Sequence, residues 1–164
     1  MIFLIRHGQT QFNREGRLQG RLDSELTELG MEQARRMGRI LRDFVEDPAA
    51  WSMISSPLRR AQHTAEIVRE ETGLGCPIEL DERIAEVSWG EWEGLTWGEI
   101  FARHPELDPE IGRGRLLTQA IGGEGEAAAG ERLARWLADI DEDDGMRRIV
   151  VSHGSAGHRL RVGT

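Results

Sequence analysis

No lysine and no tyrosine occur in this chain, and Cys76 is its one cysteine. Each absence closes off some chemistry. Without lysine there is no Walker lysine for nucleotide phosphates, no Schiff base and no lysine general base. Without tyrosine, any proton must move through His, Asp, Glu or water. A lone cysteine rules out an intramolecular disulfide framework and a cysteine-rich zinc site. It suits a reducing cytoplasm, which is the expected location. The first apolar run is too short for a signal peptide and has no basic region before it. No stretch approaches membrane-spanning length. Positive charge is also in deficit: the net charge is -8, which argues against nucleic acid or a membrane surface as partner.

What remains is the make-up of a soluble globular protein, 38% hydrophobic and 30% charged. The length suits one domain over residues 1–164 with a real core. Every basic residue other than histidine is arginine, the side chain best shaped to fork onto phosphate or carboxylate oxygens.

Ile2-Phe3-Leu4-Ile5 runs straight into Arg6-His7-Gly8, a buried strand ending at a charged turn. Residues 9–25 are polar and glycine-punctuated and read as a loop. Thr27 then caps a helix reaching to about Glu46, with Leu29, Met37, Ile40, Leu41, Phe44 and Val45 as its apolar stripe and its arginines on a solvated face. A second strand, 51–54, leads into Ser55-Ser56-Pro57, where Ser56 as cap and Pro57 as first helical residue predict a helix to about Thr72. A third strand covers 77–80, and the acidic, glycine-bearing stretch 81–94 reads as a loop with tryptophans to cover a site. Thr96 caps a short helix that stops before Pro105. Residues 105–125 lack periodicity and read as an insertion over the sheet edge. A helix over about 125–141 and a buried strand at 149–152 complete the pattern. Strands alternating with helices predict an α/β fold, three layers with a mostly parallel central sheet.

Two strands therefore end in His-Gly, at His7-Gly8 and His153-Gly154. Parallel strands bring such ends to one edge, where ligands of open α/β sheets bind. The helix opening after Ser56 starts at the same edge and adds arginine. A cluster of Arg6, His7, Arg60 and His153 suits a phosphoryl group, whose transfer depends on positioning and charge stabilisation. Zinc is the rival use for two histidines, but arginines packed against a metal are unfavourable. No G-x-S-x-G elbow supports a serine hydrolase. No metal and no cofactor are expected.

Four motifs in order resemble the histidine phosphatase (phosphoglycerate mutase-like) superfamily: Arg6-His7-Gly8-Gln9-Thr10-x-x-Asn13, Ser55-Ser56-Pro57-Leu58-x-Arg60-Ala61-x-x-Thr64-Ala65, Glu86-x-x-x-Gly90-x-x-Glu93-Gly94 and Val151-Ser152-His153-Gly154. The resemblance implies that fold and, as catalytic residues, His7, Glu86, Arg6, Arg60 and His153. His7 corresponds to the nucleophile that becomes a phosphohistidine, and Arg6, Arg60 and His153 to the groups holding phosphate oxygens. Glu86 corresponds to the proton donor and acceptor. Asn13, Gln19, Gly20, Thr10 and Gly154 correspond to substrate-side positions.

Val87-Ser88-Trp89 stands where the mutase branch has Arg-His-Tyr after the acid, so the resemblance is to the phosphatase branch. The implied activity is that of a histidine acid phosphatase-type phosphomonoesterase acting on a small phosphorylated metabolite. Two alternatives stay open: mutase-type phosphoryl transfer, and a non-catalytic phosphate-binding module. The second arises because only ten residues follow Gly154, where family members usually continue with a substantial helix and often another strand. A second copy of the chain is a candidate partner to supply cover.

Overall fold

The apolar runs become four parallel strands in the computed structural model, which describes residues 1–111, 116, 119–140 and 145–162. They are β1 (Ile2–Arg6), β2 (Trp51–Ser55), β3 (Ile78–Leu80) and β4 (Arg147–Ser152), ordered β1-β4-β2-β3 across the sheet. The described helices are α1 (Gln11–Glu15), α2 (Glu28–Arg42), α3 (Arg59–Thr72), α4 (Trp97–Arg103), α5 (Glu126–Ile140) and α6 (Gly154–Val162). No helix among the described residues is long and apolar enough to cross a membrane.

β4 is one of the two inner strands, paired with β1 and β2, and Ile149, Val150 and Val151 in it are fully buried. This is the continuous apolar run of a strand covered on both faces. Alternation sorts the side chains between the two covers. Phe3, Ile5, Trp51, Met53, Ile149 and Val151 pack with Leu41 of α2 and Ala61, Ala65 and Val68 of α3. Leu4, Ile54 and Val150 pack on the other face with Trp136, Leu137 and Ile140 of α5 and Leu160 of α6. Burying each Ile, Leu or Val among them contributes about 1.5–3 kcal/mol. A third cluster, Val87, Trp89, Trp92, Ile100, Leu116 and Ala129, lies beneath the 81–94 loop.

Four details differ from the sequence reading. Residues 9–25 contain α1, capped by a box in which Thr10 Oγ1 accepts from Asn13 N and Asn13 Oδ1 accepts from Thr10 N. α2 ends at Arg42, and its buried seam is Gly30, Ala34, Gly38 and Leu41, while Leu29, Met37, Ile40 and Phe44 are exposed. The reason is close approach: a Cβ on Gly38 would stand 2.5 Å from Glu71 Cβ in α3. α3 starts at Arg59 with Leu58 as its N-cap residue, so the Ser56 hydroxyl is not its cap. The described part of 105–125 supplies Leu116 and Ala120 to the tryptophan cluster and braces the 81–94 loop, where Glu91 N donates to the Ile121 carbonyl at 3.0 Å.

Candidate active site

The backbone ladder runs past the strand ends and sets the site. His7 N donates to the Ser152 carbonyl and Ser56 N to the Val151 carbonyl, each at 3.0 Å. His7, His153 and Ser56 therefore stand side by side where β1, β4 and β2 stop. Alternation continues Ile5 into His7 and Val151 into His153, turning both histidines toward α3. Their ring centroids are 5.1 Å apart. Arg60, in the first turn of α3, is 1% exposed. Its Nε donates to His7 Nε2 at 3.2 Å, its Nη1 to the Leu22 carbonyl at 2.9 Å and its Nη2 to the Gly20 carbonyl at 2.7 Å.

Both imidazoles are held neutral. Burial first, and then the charges of Arg60 and Arg6, push the His7 pKa down to about 3, against the bond to Gly8, which raises it. Neutral imidazole carries one ring proton. His7 Nδ1 lies 2.7 Å from the Gly8 carbonyl, an acceptor only, so the proton sits on Nδ1 and Nε2 keeps its lone pair. Burial, followed by Arg60 and His7, holds His153 well below the usual histidine range. Its Nε2 lies 2.7 Å from Ser56 Oγ. Its Nδ1 is buried with no hydrogen-bond partner among the described residues.

Glu86 is 8% exposed and sits on the first turn of α6. Its Oε1 accepts from Val87 N and Ala156 N, both at 3.0 Å, and its Oε2 from Ser155 N at 3.2 Å. One β4–α6 junction thus delivers His153 and also the amides that grip Glu86. The loop carrying Glu86 is fixed by tertiary bonds. Ser152 Oγ donates to the Ile84 carbonyl, and Arg132 Nη1 to the carbonyls of Arg83 and Ala85. Glu93 Oε1 accepts from Arg21 N, Ser88 Oγ and Trp89 N.

The other sequence-derived residues divide. Arg6, one residue before His7, faces the α6 side of the sheet and is exposed. Its guanidinium lies against Gly154, where a Cβ would be 3.5 Å from Arg6 Cζ, and its charge still reaches both histidines and Arg60. Gly20 turns at φ 54° and offers its carbonyl to Arg60. Gln19 is buried, and its Oε1 has no partner among the described residues. Thr10 and Asn13 bond to each other in the α1 cap, and Thr10 is fully buried. Arg59 lines a cleft of about 620 Å³ with Arg60, Asp23, His63 and Glu66.

Gly8 serves packing: a Cβ there would meet the Gly30 carbonyl oxygen at 2.2 Å. Sequence reasoning gives no role to Thr64, whose Oγ1 accepts from Gly8 N, or to the Glu93 carboxylate, and gives the Ser56 hydroxyl the role of a helix cap rather than a partner of His153. All three lie inside the quoted motifs, which was the available signal. The amides of Ser155 and Ala156 had none. Among the described residues, no three His, Cys, Asp or Glu side chains gather as a metal site requires.

The model of the Histidine phosphatase superfamily (branch 1) matches residues 2–160. "Probable phosphoglycerate mutase GpmB" of Salmonella paratyphi A is 33% identical over 156 residues, 94% of this chain and 70% of that protein. Among solved structures, the alpha-ribazole phosphatase from Shigella flexneri superposes with a TM-score of 0.80 at 29% identity, covering 98% of this chain and 77% of that one. The mycobacterial glucosyl-3-phosphoglycerate phosphatase in complex with VO3 gives 0.79 at 32% identity, covering 97% of this chain and 78% of that one. The match runs through every strand that ends at the site, so this chain belongs to branch 1 of the histidine phosphatase superfamily and is an enzyme of the phosphatase or mutase kind.

Proposed function

We propose that the chain is a phosphomonoester hydrolase acting on a small phosphorylated metabolite through a phosphohistidine at His7. The observation that carries this reading is the Nε2 lone pair of a neutral His7, its other nitrogen tied to the Gly8 carbonyl, beside Arg60 and His153. Nε2 attacks phosphorus in line, forming the P–N bond as the P–O bond to the leaving group breaks. The leaving oxygen takes a proton from the Glu86 carboxylic acid. Glu86, now a carboxylate, removes a proton from water, whose oxygen attacks phosphorus. The P–N bond breaks, His7 is restored and phosphate departs.

Arg60, Arg6 and the ring N–H of His153 hold the phosphoryl oxygens as charge spreads over them. Once the Nε2 lone pair enters the P–N bond, it no longer accepts from Arg60 Nε. That N–H then turns to a phosphoryl oxygen, an interaction stronger in the transition state than before it.

Hydrolysis is favoured over mutase transfer by the loop after Glu86. Val87 and Trp89 are packed into the tryptophan cluster, so this stretch offers a second anionic group of a substrate no cation. Phosphate release from a panel of phosphomonoesters, measured beside a mutase assay on 3-phosphoglycerate, tests the choice. Release should exceed isomerisation on every compound. Sustained isomerisation with little free phosphate contradicts it.

A further inference from the structure

We infer that Ser56 is a positioning residue that sets the tautomer of His153, so that the second histidine meets the phosphoryl group as a neutral Nδ1–H donor. The inference rests on the phosphoryl-transfer reading of the site and deepens it. Ser56 lies just past β2, fully buried, with its Oγ 2.7 Å from His153 Nε2. The hydroxyl accepts from Leu58 N at 3.3 Å and has one proton to give. Among the described residues its hydrogen bonds are those with Leu58 N, a donor, and His153 Nε2. If Nε2 carried the ring proton, the hydroxyl proton would lack an acceptor and Nδ1 would present a buried lone pair. With the proton on Nδ1, Ser56 donates to Nε2 and both groups are satisfied. What remains is a buried Nδ1–H free for a ligand oxygen, in the fully buried position that an unmade bond makes costly.

The difference matters for the chemistry. A neutral N–H donor adds an oxygen contact without a further charge beside Arg60, which is already buried, and His7. The opposite tautomer would aim a lone pair at phosphate oxygens and repel them. The serine of the Ser56-Pro57 pair, read from sequence as a helix cap, thus acts through the histidine.

Nitrogen-15 NMR of the wild-type protein reads the tautomer directly and requires no variant. Its His153 signals should show protonated Nδ1 and unprotonated Nε2. Ser56→Ala should shift them toward the opposite tautomer or a mixture, and weaken inorganic vanadate and phosphate binding about tenfold or more, the scale of one hydrogen bond to a charged group. It should also lower kcat/KM similarly for good and poor leaving groups. Ser56→Thr, which keeps the hydroxyl, should restore both readouts; thermal unfolding checks that each variant is folded. Protonated Nε2 in the wild type, or a folded Ser56→Ala with unchanged tautomer and vanadate affinity, overturns the role of Ser56. Failure of the wild type to bind vanadate or release phosphate would instead overturn the hydrolase reading, leaving the tautomer result standing.

Discussion

The two halves of the site are built differently. His7, His153 and Ser56 stand at strand ends, in register through backbone bonds of 3.0 Å from His7 N and Ser56 N to β4 carbonyls. Glu86 stands on a loop held by the side chains of Glu93, Arg132 and Ser152, and its carboxylate is gripped by backbone amides of α6. The half that binds and attacks phosphorus is placed by the sheet itself. The half that moves the proton is placed by contacts that single side-chain changes can loosen. Chemical precision at phosphorus therefore comes with the fold, and proton handling is the part open to adjustment.

The largest expected effect breaks the first half outright. His7→Ala should abolish turnover of every phosphomonoester, measured as phosphate release; unchanged turnover would mean that chemistry occurs elsewhere. Glu86→Gln comes next, with kcat/KM lower by about 10²–10⁴ on substrates whose leaving oxygen needs a proton. The loss should shrink sharply on p-nitrophenyl phosphate, whose leaving group needs none. Arg60→Ala should lose activity on both substrates alike. That contrast in leaving-group dependence separates the halves; equal losses in all three variants would erase the distinction.

Glu93→Gln should behave as a weaker Glu86→Gln, because it slackens the loop without touching phosphate. A loss of roughly tenfold, again smaller on p-nitrophenyl phosphate, is the expected size for a misplaced proton donor. Gly8→Ala probes the frame. Its Cβ would meet the Gly30 carbonyl at 2.2 Å, so unfolding should show a destabilisation of about 1–3 kcal/mol.

The last effect concerns pH and acts on stability alone. The folded-state pKa of His7 is lowered from 6.5 to about 3 by burial and by Arg60 and Arg6. Between those values the unfolded chain binds the proton and the folded one does not, so stability is full above about pH 6.5 and falls as pH drops toward 3. Denaturant unfolding at pH 7 and pH 4.5 should show this fall, and His7→Asn should show less of it. The same slope in both proteins would remove His7 as its source.

This division also explains what the sequence could tell. Strand-end positions follow from apolar runs and parallel pairing, so the runs Ile2–Ile5 and Ile149–Ser152 announce where His7 and His153 meet. α2 was misread in its packing because small residues, Gly30, Ala34 and Gly38, make its seam, and hydrophobicity patterns count Leu29, Ile40 and Phe44 instead. The grip of Ser155 and Ala156 on Glu86 depends on two segments about seventy residues apart and leaves no local mark. Ser56 was visible as a residue type but assigned to the wrong partner, since a cap and a bond to histidine look alike before the strands are assembled.

The central claim is that Nε2 of His7 takes the phosphoryl group. Turnover of a phosphomonoester quenched in alkali, followed by mass spectrometry of the digested chain, tests it most directly. The account predicts one phosphoryl group on the peptide carrying His7, labile to acid and absent in His7→Ala. Phosphorylation of any other residue, or steady turnover with His7 never modified, would contradict it.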